Sequence, residues 1–117
     1  MDIPSIIIYN LGNADSKLMD QVLYGIEEEG IPYVVESKNG DGYQNAAEAS
    51  YKAAIASKLS VGLAIDSENI AVHYANLEEN TPLFLYSVKS MNMQNMRNIG
   101  TNSARLVKGI YFILNDN

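Results

Sequence analysis

Segments typical of β-strands alternate with segments typical of α-helices along this chain, and that alternation limits the folds available to it. Short apolar runs rich in β-branched residues predict strands at 3–9, 33–36, 61–65, 70–74 and 83–86. Apolar residues at three- and four-residue spacing, or abundant alanine, predict helices at about 16–29, 44–58 and 92–107. The order β-α-β-α-β-β-β-α predicts one α/β domain over residues 1–117. We expect three α/β/α layers built on a mixed, mostly parallel sheet of about five strands, beginning with parallel strands.

The predicted elements also indicate which residues form the core. The first strand is a short run rich in β-branched apolar residues, which predicts a central position with both faces covered. One stripe of the second helix is predicted to face the sheet: Ala47, Tyr51, Ala54 and Ile55. In the last helix the predicted inward residues are Met96, Ile99, Ala104 and Val107. Gly100, in the middle of that helix, argues against a helix because glycine there costs up to about 1 kcal/mol relative to alanine.

The composition removes several classes of function. Eight Lys and Arg residues and a net charge of −6 argue against binding to a phosphate backbone. The absence of cysteine excludes disulfides, thiolate metal sites and cysteine nucleophiles. The N-terminal stretch MDIPSIIIYN has an acidic residue where a signal peptide would be basic, and its apolar run is far too short to span a membrane. We therefore expect a cytoplasmic protein.

Motifs that would carry catalysis are weak in this sequence. His73 is the single histidine and sits within a predicted strand, which favours a structural or interface role over a catalytic triad. The turn at 10–13, NLGN, follows a strand as phosphate-binding turns do, but it lacks the further glycines of a dinucleotide site. Asp66 and Glu68 lie in a predicted turn, where acidic residues are usually turn formers rather than an acid and base pair. These residues give no convincing enzyme site.

The stretch at 25–32, GIEEEGIP, places three consecutive carboxylates at the predicted end of the first helix. Negative charge is unfavourable at that end because the helix dipole already presents partial negative charge there. Glu27, Glu28 and Glu29 project about 100° apart, so one ligand meets one or two of them. Two alternatives stay open: a solvated helix end, or one carboxylate that binds Mg²⁺ or Ca²⁺ with oxygen ligands from another subunit.

Four segments in order carry a resemblance to a known family: VLYGIEEEGIPY at 22–33, VGLAIDSENIAVHYANL at 61–77, TPLFLY at 81–86 and RNIGTNSARLVKGIYF at 97–112. Together they resemble the small subunit of the reactivating factors of diol and glycerol dehydratases, chaperone-like partners of adenosylcobalamin-dependent enzymes. The medium subunit of the dehydratase itself is also similar, in its EEEG helix end and in a GxNAAR-like segment. That segment contains Asn102–Arg105 here, with a serine in place of the first alanine. The VHYANL segment and the shorter chain favour the reactivating factor.

The resemblance implies a non-catalytic subunit that binds a large subunit with an ATPase domain, with or without association with a bacterial microcompartment. ATP and ADP would bind to the large subunit, and this chain alone would bind no cofactor. With ADP bound, the factor would release this subunit and capture the dehydratase medium subunit instead, so that damaged cobalamin leaves; ATP would reverse the exchange. The resemblance also implies that Glu28 completes a Mg²⁺ or Ca²⁺ site shared with the large subunit. Glu27 and Glu29 are then expected to be solvated charges.

Several alternatives remain open at this point. Arg97, Arg105 and Lys108 in and after the last helix could pair with acidic groups of the large subunit, or Arg105 and Lys108 could complement the helix dipole. The chain could instead be a cobalamin-contacting dehydratase subunit, or a free-standing domain with a ligand pocket near Asn10 and Asp66. An exchangeable subunit leaves an interface bare, so we expect the isolated chain to expose an apolar patch or to self-associate.

Overall fold

The computed structural model describes residues 3–113 and has every strand and helix in the predicted order. The strands are β1 (Ile6–Asn10), β2 (Tyr33–Ser37), β3 (Val61–Ile65), β4 (Asn69–Tyr74) and β5 (Phe84–Ser87). The α-helices are α1 (Ser16–Glu28), α2 (Ala46–Ala56) and α3 (Met93–Lys108), and short 3₁₀ helices span Gly40–Gly42 and Val88–Ser90. No helix in this part of the chain is both long and apolar enough to cross a bilayer.

The largest error in the predicted boundaries is at the start of β1, which begins at Ile6 rather than at Ile3. The cause is the neighbouring strand: Ile6 pairs with Tyr33, the first residue of β2. Residues before Ile6 therefore have no partner strand beside them. The start of α2 shifts to Ala46 because the side chain of Asn45 accepts a hydrogen bond from the Glu48 amide and so caps the helix.

The five strands form one mixed sheet in the order β2-β1-β3-β4-β5. β1 pairs in parallel with both β2 and β3, whereas β3–β4 and β4–β5 are antiparallel. The prediction of a mixed α/β sheet that begins with parallel strands is confirmed, and β1 has neighbours on both sides as predicted. β2 and β5 are the edge strands of this sheet.

Helices cover both faces of the sheet, so the predicted three layers are confirmed. On one face α1 and α3 pack over a large apolar core that includes Ile8, Leu63 and Met96. On the other face α2 packs through small residues, Ala49 and Ala53, against Ala64 and Tyr9. The predicted inward residues of α3 are also in place: Met96, Ile99 and Ala104 are buried, and Val107 is half-buried.

One residue of the predicted α2 stripe lies elsewhere. Ala47 and Ala54 are buried as predicted, but the side chain of Ile55 is 57% exposed. The stripe that faces the sheet follows Ala46, Ser50 and Ala53, and Ile55 lies about 200° around the helix from Ala53. The prediction for Ile55 was wrong because the small residues, rather than the largest apolar one, face the sheet.

Gly100 and Gly25 lie where α1 and α3 touch most closely. A Cβ atom at Gly100 would overlap the backbone carbonyl of Val22, and one at Gly25 would overlap the carbonyl oxygen of Arg97 and lie 2.7 Å from the amide nitrogen of Thr101. Glycine at these positions lets the two helix backbones meet directly. Gly100 argued against a helix in the sequence, but the close packing of α1 on α3 requires glycine at this position.

Candidate functional site

Glu27, Glu28 and Glu29, the acidic triplet, lie at the end of α1, and each contacts different partner residues. The helix ends at Glu28, Glu29 is its C-cap residue, and Gly30 follows with a left-handed φ of +77°. Left-handed backbone is favourable mainly for glycine, which turns the chain from α1 towards β2. The placement at a helix end is confirmed.

Glu29 is held by two cations of α3. Its Oε1 accepts hydrogen bonds from Lys108 Nζ at 3.0 Å and from Arg105 Nε at 3.4 Å, and its side chain is 17% exposed. Donation from Lys108, aided by Arg105, holds the pKa of the Glu29 carboxyl below its ordinary value of 4.5. The expectation of a solvated charge at Glu29 was wrong, because these cations from the other end of the sequence lie against it.

This ion pairing gives a prediction about acid stability. A folded-state pKa below the unfolded value stabilises the fold above pH 4.5, and the contribution is lost as the pH falls through the folded value. We expect Glu29→Gln to lower the free energy of unfolding by about 1 kcal/mol at neutral pH. The difference from wild type should shrink below pH 4.5.

Urea unfolding across this pH range measures the effect. Glu78→Gln, at an exposed loop carboxylate, is the matched control and should leave the free energy of unfolding unchanged. A Glu29→Gln effect that is equally large at every pH would contradict the electrostatic explanation.

Glu27 points towards the sheet rather than towards α3. Its Oε1 accepts a hydrogen bond of 2.6 Å from the hydroxyl of Tyr33, the first residue of β2. This hydrogen bond, followed by burial, raises the pKa of Tyr33 to about 12. Glu27 is exposed as expected, but it also ties the end of α1 to the edge strand.

Glu28 is exposed and paired with one arginine. Its Oε1 accepts a hydrogen bond of 3.0 Å from Arg97 Nη1, and 58% of its side chain remains exposed. The guanidinium is itself held by α1, because Arg97 Nε donates to Gln21 Oε1 at 3.1 Å and its charge lies 5.5 Å from the centre of the Tyr24 ring. Arg97 therefore pairs within this chain.

The Glu28 carboxylate is chemically suited to be one ligand of a hard cation, although it is already paired with Arg97. Carboxylate oxygen is the ligand type that Mg²⁺ and Ca²⁺ prefer, and the exposed side chain can be approached from outside. Within residues 3–113, no three His, Asp or Glu side chains come together in a way that could hold a metal ion. Glu28 could thus supply one ligand of several. For this, either the hydrogen bond from Arg97 to Glu28 must break, or the carboxylate must bind the arginine and the cation together.

Asn102 and Arg105 have a role that their sequence motif did not reveal. The Asn102 side chain makes two hydrogen bonds of 2.6 Å with the backbone of Ile113, one as donor and one as acceptor. Arg105 donates to the carbonyl oxygen of Tyr111 at 3.1 Å while it also holds Glu29. The motif fixes the segment after α3 back against that helix. A buried asparagine within a helix was the available signal, since such a side chain needs polar partners.

His73 has the structural role that was predicted. It is fully buried, its Nδ1 lies 3.0 Å from the Tyr74 amide nitrogen, and its Nε2 lies 3.1 Å from the carbonyl oxygen of Glu79. Nδ1 as acceptor and Nε2 as donor satisfy these two contacts, and the Tyr74 carbonyl oxygen also lies 3.1 Å from Nδ1. The edge of the ring also packs on Tyr51, with 5.2 Å between the ring centres.

The proposed ligand site near Asn10 and Asp66 amounts to a shallow cavity of about 280 Å³. Asp66 lines it, but its Oδ1 accepts hydrogen bonds from the amides of Glu68 and Asn69 at 2.8 and 2.7 Å. Asn10 does the same for the amide of Gly12 at 3.1 Å. The volume is below the usual range for ligand pockets. These side chains therefore form turns, as the alternative interpretation held.

Comparison with known proteins supports one of the open alternatives. Residues 3–113 match the family model of the dehydratase medium subunit. The chain is 43% identical over 110 residues to the propanediol dehydratase-reactivating factor small subunit of Citrobacter freundii, covering 93% of this chain and 90% of that protein. It is 40% identical over 109 residues to the protein of the same name from Salmonella typhimurium (strain LT2), with the same coverage of 93% and 90%.

A solved structure shows the same fold. One chain of the diol dehydratase-reactivating factor, solved in complex with ADP and Mg²⁺, superposes with a TM-score of 0.86 at 38% identity. The match covers 96% of this chain and 99% of that one. The chain therefore belongs to the dehydratase medium subunit family and, within it, to the small subunits of the dehydratase-reactivating factors.

Proposed function

We propose that this chain is the exchangeable, non-catalytic small subunit of an ATP-dependent reactivating factor for diol dehydratase. One observation carries the proposal. The chain spans almost the whole length of reactivating-factor small subunits, and the family model that it matches over residues 3–113 is that of the dehydratase medium subunit. A protein with the fold of an enzyme subunit can occupy the place of that subunit on a common partner.

The proposed mechanism is competition between this chain and the dehydratase medium subunit. The large subunit of the factor would hydrolyse ATP. In its ADP state it would release this chain and bind the medium subunit, which opens the dehydratase and lets damaged cobalamin leave. Both named relatives are small subunits of propanediol dehydratase-reactivating factors, so we propose a 1,2-propanediol dehydratase as the enzyme that is reactivated.

We further propose that Glu28 binds a Mg²⁺ or Ca²⁺ ion shared with the large subunit. The support is chemical: Glu28 is an exposed carboxylate at a helix end, and the similar reactivating factor was solved with Mg²⁺. A divalent cation beside Glu28 would also offset the negative charge gathered at the C-terminus of α1. The Arg97 guanidinium provides this compensation in the chain alone.

An exchange experiment tests the competition. The chain is labelled with a fluorophore, assembled with the large subunit, and challenged with the intact dehydratase in the presence of ADP or ATP. We expect dehydratase to release the labelled chain in ADP and to leave it bound in ATP, as followed by size-exclusion chromatography. Dehydratase that lacks its medium subunit is the control and should release nothing. Retention of the labelled chain in ADP, at saturating dehydratase, would overturn the exchange mechanism.

A further inference from the structure

The loop between β2 and α2 contains an asparagine that is followed directly by glycine. Its sequence at 38–43 is KNGDGY, so Asn39 precedes Gly40 and Asp41 precedes Gly42. No other asparagine in the sequence is followed by glycine. Because glycine has no side chain to shield its backbone nitrogen, that nitrogen can approach the side-chain carbonyl carbon of the preceding residue. The sequence therefore favours attack of the backbone on an asparagine side chain at this position more than at any other.

The structure leaves both reacting groups of this pair accessible. Asn39 is exposed and Gly40 is half-buried. Among residues 3–113, the amide nitrogen of Gly40 has no hydrogen-bond acceptor. The amide of Gly42 instead donates to the carbonyl oxygen of Asn39 at 3.0 Å. The nitrogen that follows Asn39 is thus free to react, whereas the nitrogen that follows Asp41 is engaged.

The loop must open locally before the two groups can meet. The Asn39 backbone is extended, with ψ at 116°, and must rotate about ψ to bring the Gly40 nitrogen next to its own side chain. Two hydrogen bonds oppose this rotation, since Asn39 accepts from the Asp41 amide through Oδ1 and from the Gly42 amide through its carbonyl oxygen, both at 3.0 Å. Water can replace hydrogen bonds at an exposed loop at little net cost, so this opening is easy.

Asn102 provides a comparison within the same chain. It is followed by Ser103, another small residue, but both residues are buried inside α3. Both polar atoms of the Asn102 side chain are also held by the backbone of Ile113 at 2.6 Å. Reaction at Asn102 would require part of α3 to unfold, which costs far more than opening a surface loop.

We propose that Asn39 is a site of spontaneous deamidation in the folded protein. Hydroxide removes the Gly40 amide proton, and the nitrogen attacks Cγ of Asn39. The new N–Cγ bond closes a succinimide ring while the Cγ–Nδ2 bond breaks and ammonia leaves. Water then hydrolyses the ring at either carbonyl group, which gives aspartate or isoaspartate at this position. Either product makes the net charge of −6 more negative by one unit.

The two products differ in their effect on the loop. Aspartate keeps a side-chain oxygen that can accept the hydrogen bond from the Asp41 amide. Isoaspartate adds a carbon atom to the main chain, directly after Lys38, whose amide donates to the carbonyl oxygen of Asn10 at 2.8 Å. Isoaspartate therefore shifts the loop relative to the carboxyl end of β1. The modification needs no partner protein and is independent of the proposed function.

Peptide mapping by mass spectrometry tests the proposal on the isolated chain. The folded protein is incubated at neutral and at alkaline pH and is digested at intervals. We expect a mass gain of one dalton in the peptide that contains Asn39, divided between two chromatographic peaks, and faster conversion at alkaline pH. Conversion at Asn39 should be at least about tenfold faster than at Asn102.

Two variants and an unfolded sample serve as controls. Asn39→Asp identifies the peak of the aspartate product. Asn39→Gln keeps an amide but would have to close a six-membered ring, so it should show no mass gain over the same period. The same incubation in guanidinium chloride gives the rate in the unfolded chain, and the folded rate should lie within about tenfold of it.

Three results would overturn the proposal. Folded protein that stays unmodified while the unfolded chain reacts would mean that the loop is too rigid for ring closure. Conversion at Asn102 as fast as at Asn39 would remove the role of exposure and of the glycine. An equal mass gain in Asn39→Gln would place the reaction at another residue.

Discussion

Replacing Gly100 with alanine should lower the free energy of unfolding by about 3 kcal/mol. The new Cβ would overlap the backbone carbonyl of Val22, and backbone atoms cannot rotate away as a long side chain can. α1 and α3 would have to separate along their contact, which forms most of the layer on that side of the sheet. A loss of this size is a large part of the total stability of a domain.

The structure and the helix propensity of the sequence predict opposite signs for the effect of Gly100→Ala on the free energy of unfolding. Helix propensity alone predicts that Gly100→Ala stabilises α3 by up to about 1 kcal/mol. The steric overlap opposes this gain and is larger. Gly25→Ala should behave in the same way, because it faces the backbone of Arg97 and Thr101 from the other helix.

Chemical unfolding of Gly100→Ala, Gly25→Ala and a control measures the effect. Gly42→Ala is a suitable control because a Cβ there meets no atom within 4 Å, and we expect it to change the free energy of unfolding by less than about 0.5 kcal/mol. If Gly100→Ala were as stable as wild type or more stable, that result would contradict the close contact of α1 and α3 at Gly100.

Replacing Glu28 with glutamine should weaken Mg²⁺-dependent binding to the large subunit about tenfold or more. Glutamine keeps the shape of the side chain and removes the negative charge that a divalent cation needs. It also releases Arg97, whose guanidinium would then face the approaching cation. These two causes predict the same direction and must be separated.

The Arg97→Gln variant separates them. In Arg97→Gln the Glu28 carboxylate loses the guanidinium that lies 3.0 Å from it. Mg²⁺-dependent binding of the chain to the large subunit should therefore be retained or become tighter. The double variant Glu28→Gln/Arg97→Gln should bind as weakly as Glu28→Gln. Recovery of binding in the double variant would mean that the free arginine, rather than the missing carboxylate, caused the loss. Glu78→Gln controls for a change of net charge at an exposed position.

The order and type of the elements could be predicted from the sequence because each depends on local patterns. A continuous β-branched run predicts a buried strand, and apolar residues at three- and four-residue spacing predict a helix. The exact start of β1 could not be predicted, since it depends on where β2 begins. The exposure of Ile55 could not be predicted either, because it depends on which side of α2 faces the sheet, and that side carries the small residues.

The partners of the acidic triplet lay beyond sequence reasoning. Glu28 and Glu29 contact Arg97, Arg105 and Lys108, and the hydrogen-bonded pairs are separated by 69, 76 and 79 positions along the chain. Nothing local indicates that α3 crosses α1 at two glycines and so carries these cations to the end of α1. The resemblance of the four motifs predicted the family. The contacts between those motifs could be identified only from the three-dimensional structure.

The measurement that tests the central claim most directly is a calorimetric titration of the wild-type chain into the purified large subunit with a non-hydrolysable ATP analogue, in MgCl₂ and in chelator. The proposed function predicts binding in Mg²⁺ at one small subunit for each large subunit, weakened about tenfold or more when the metal is removed. Binding of equal strength in both conditions would retain the subunit assignment and contradict the shared cation at Glu28. The absence of binding in both conditions would contradict the claim that this chain is a subunit of a reactivating factor.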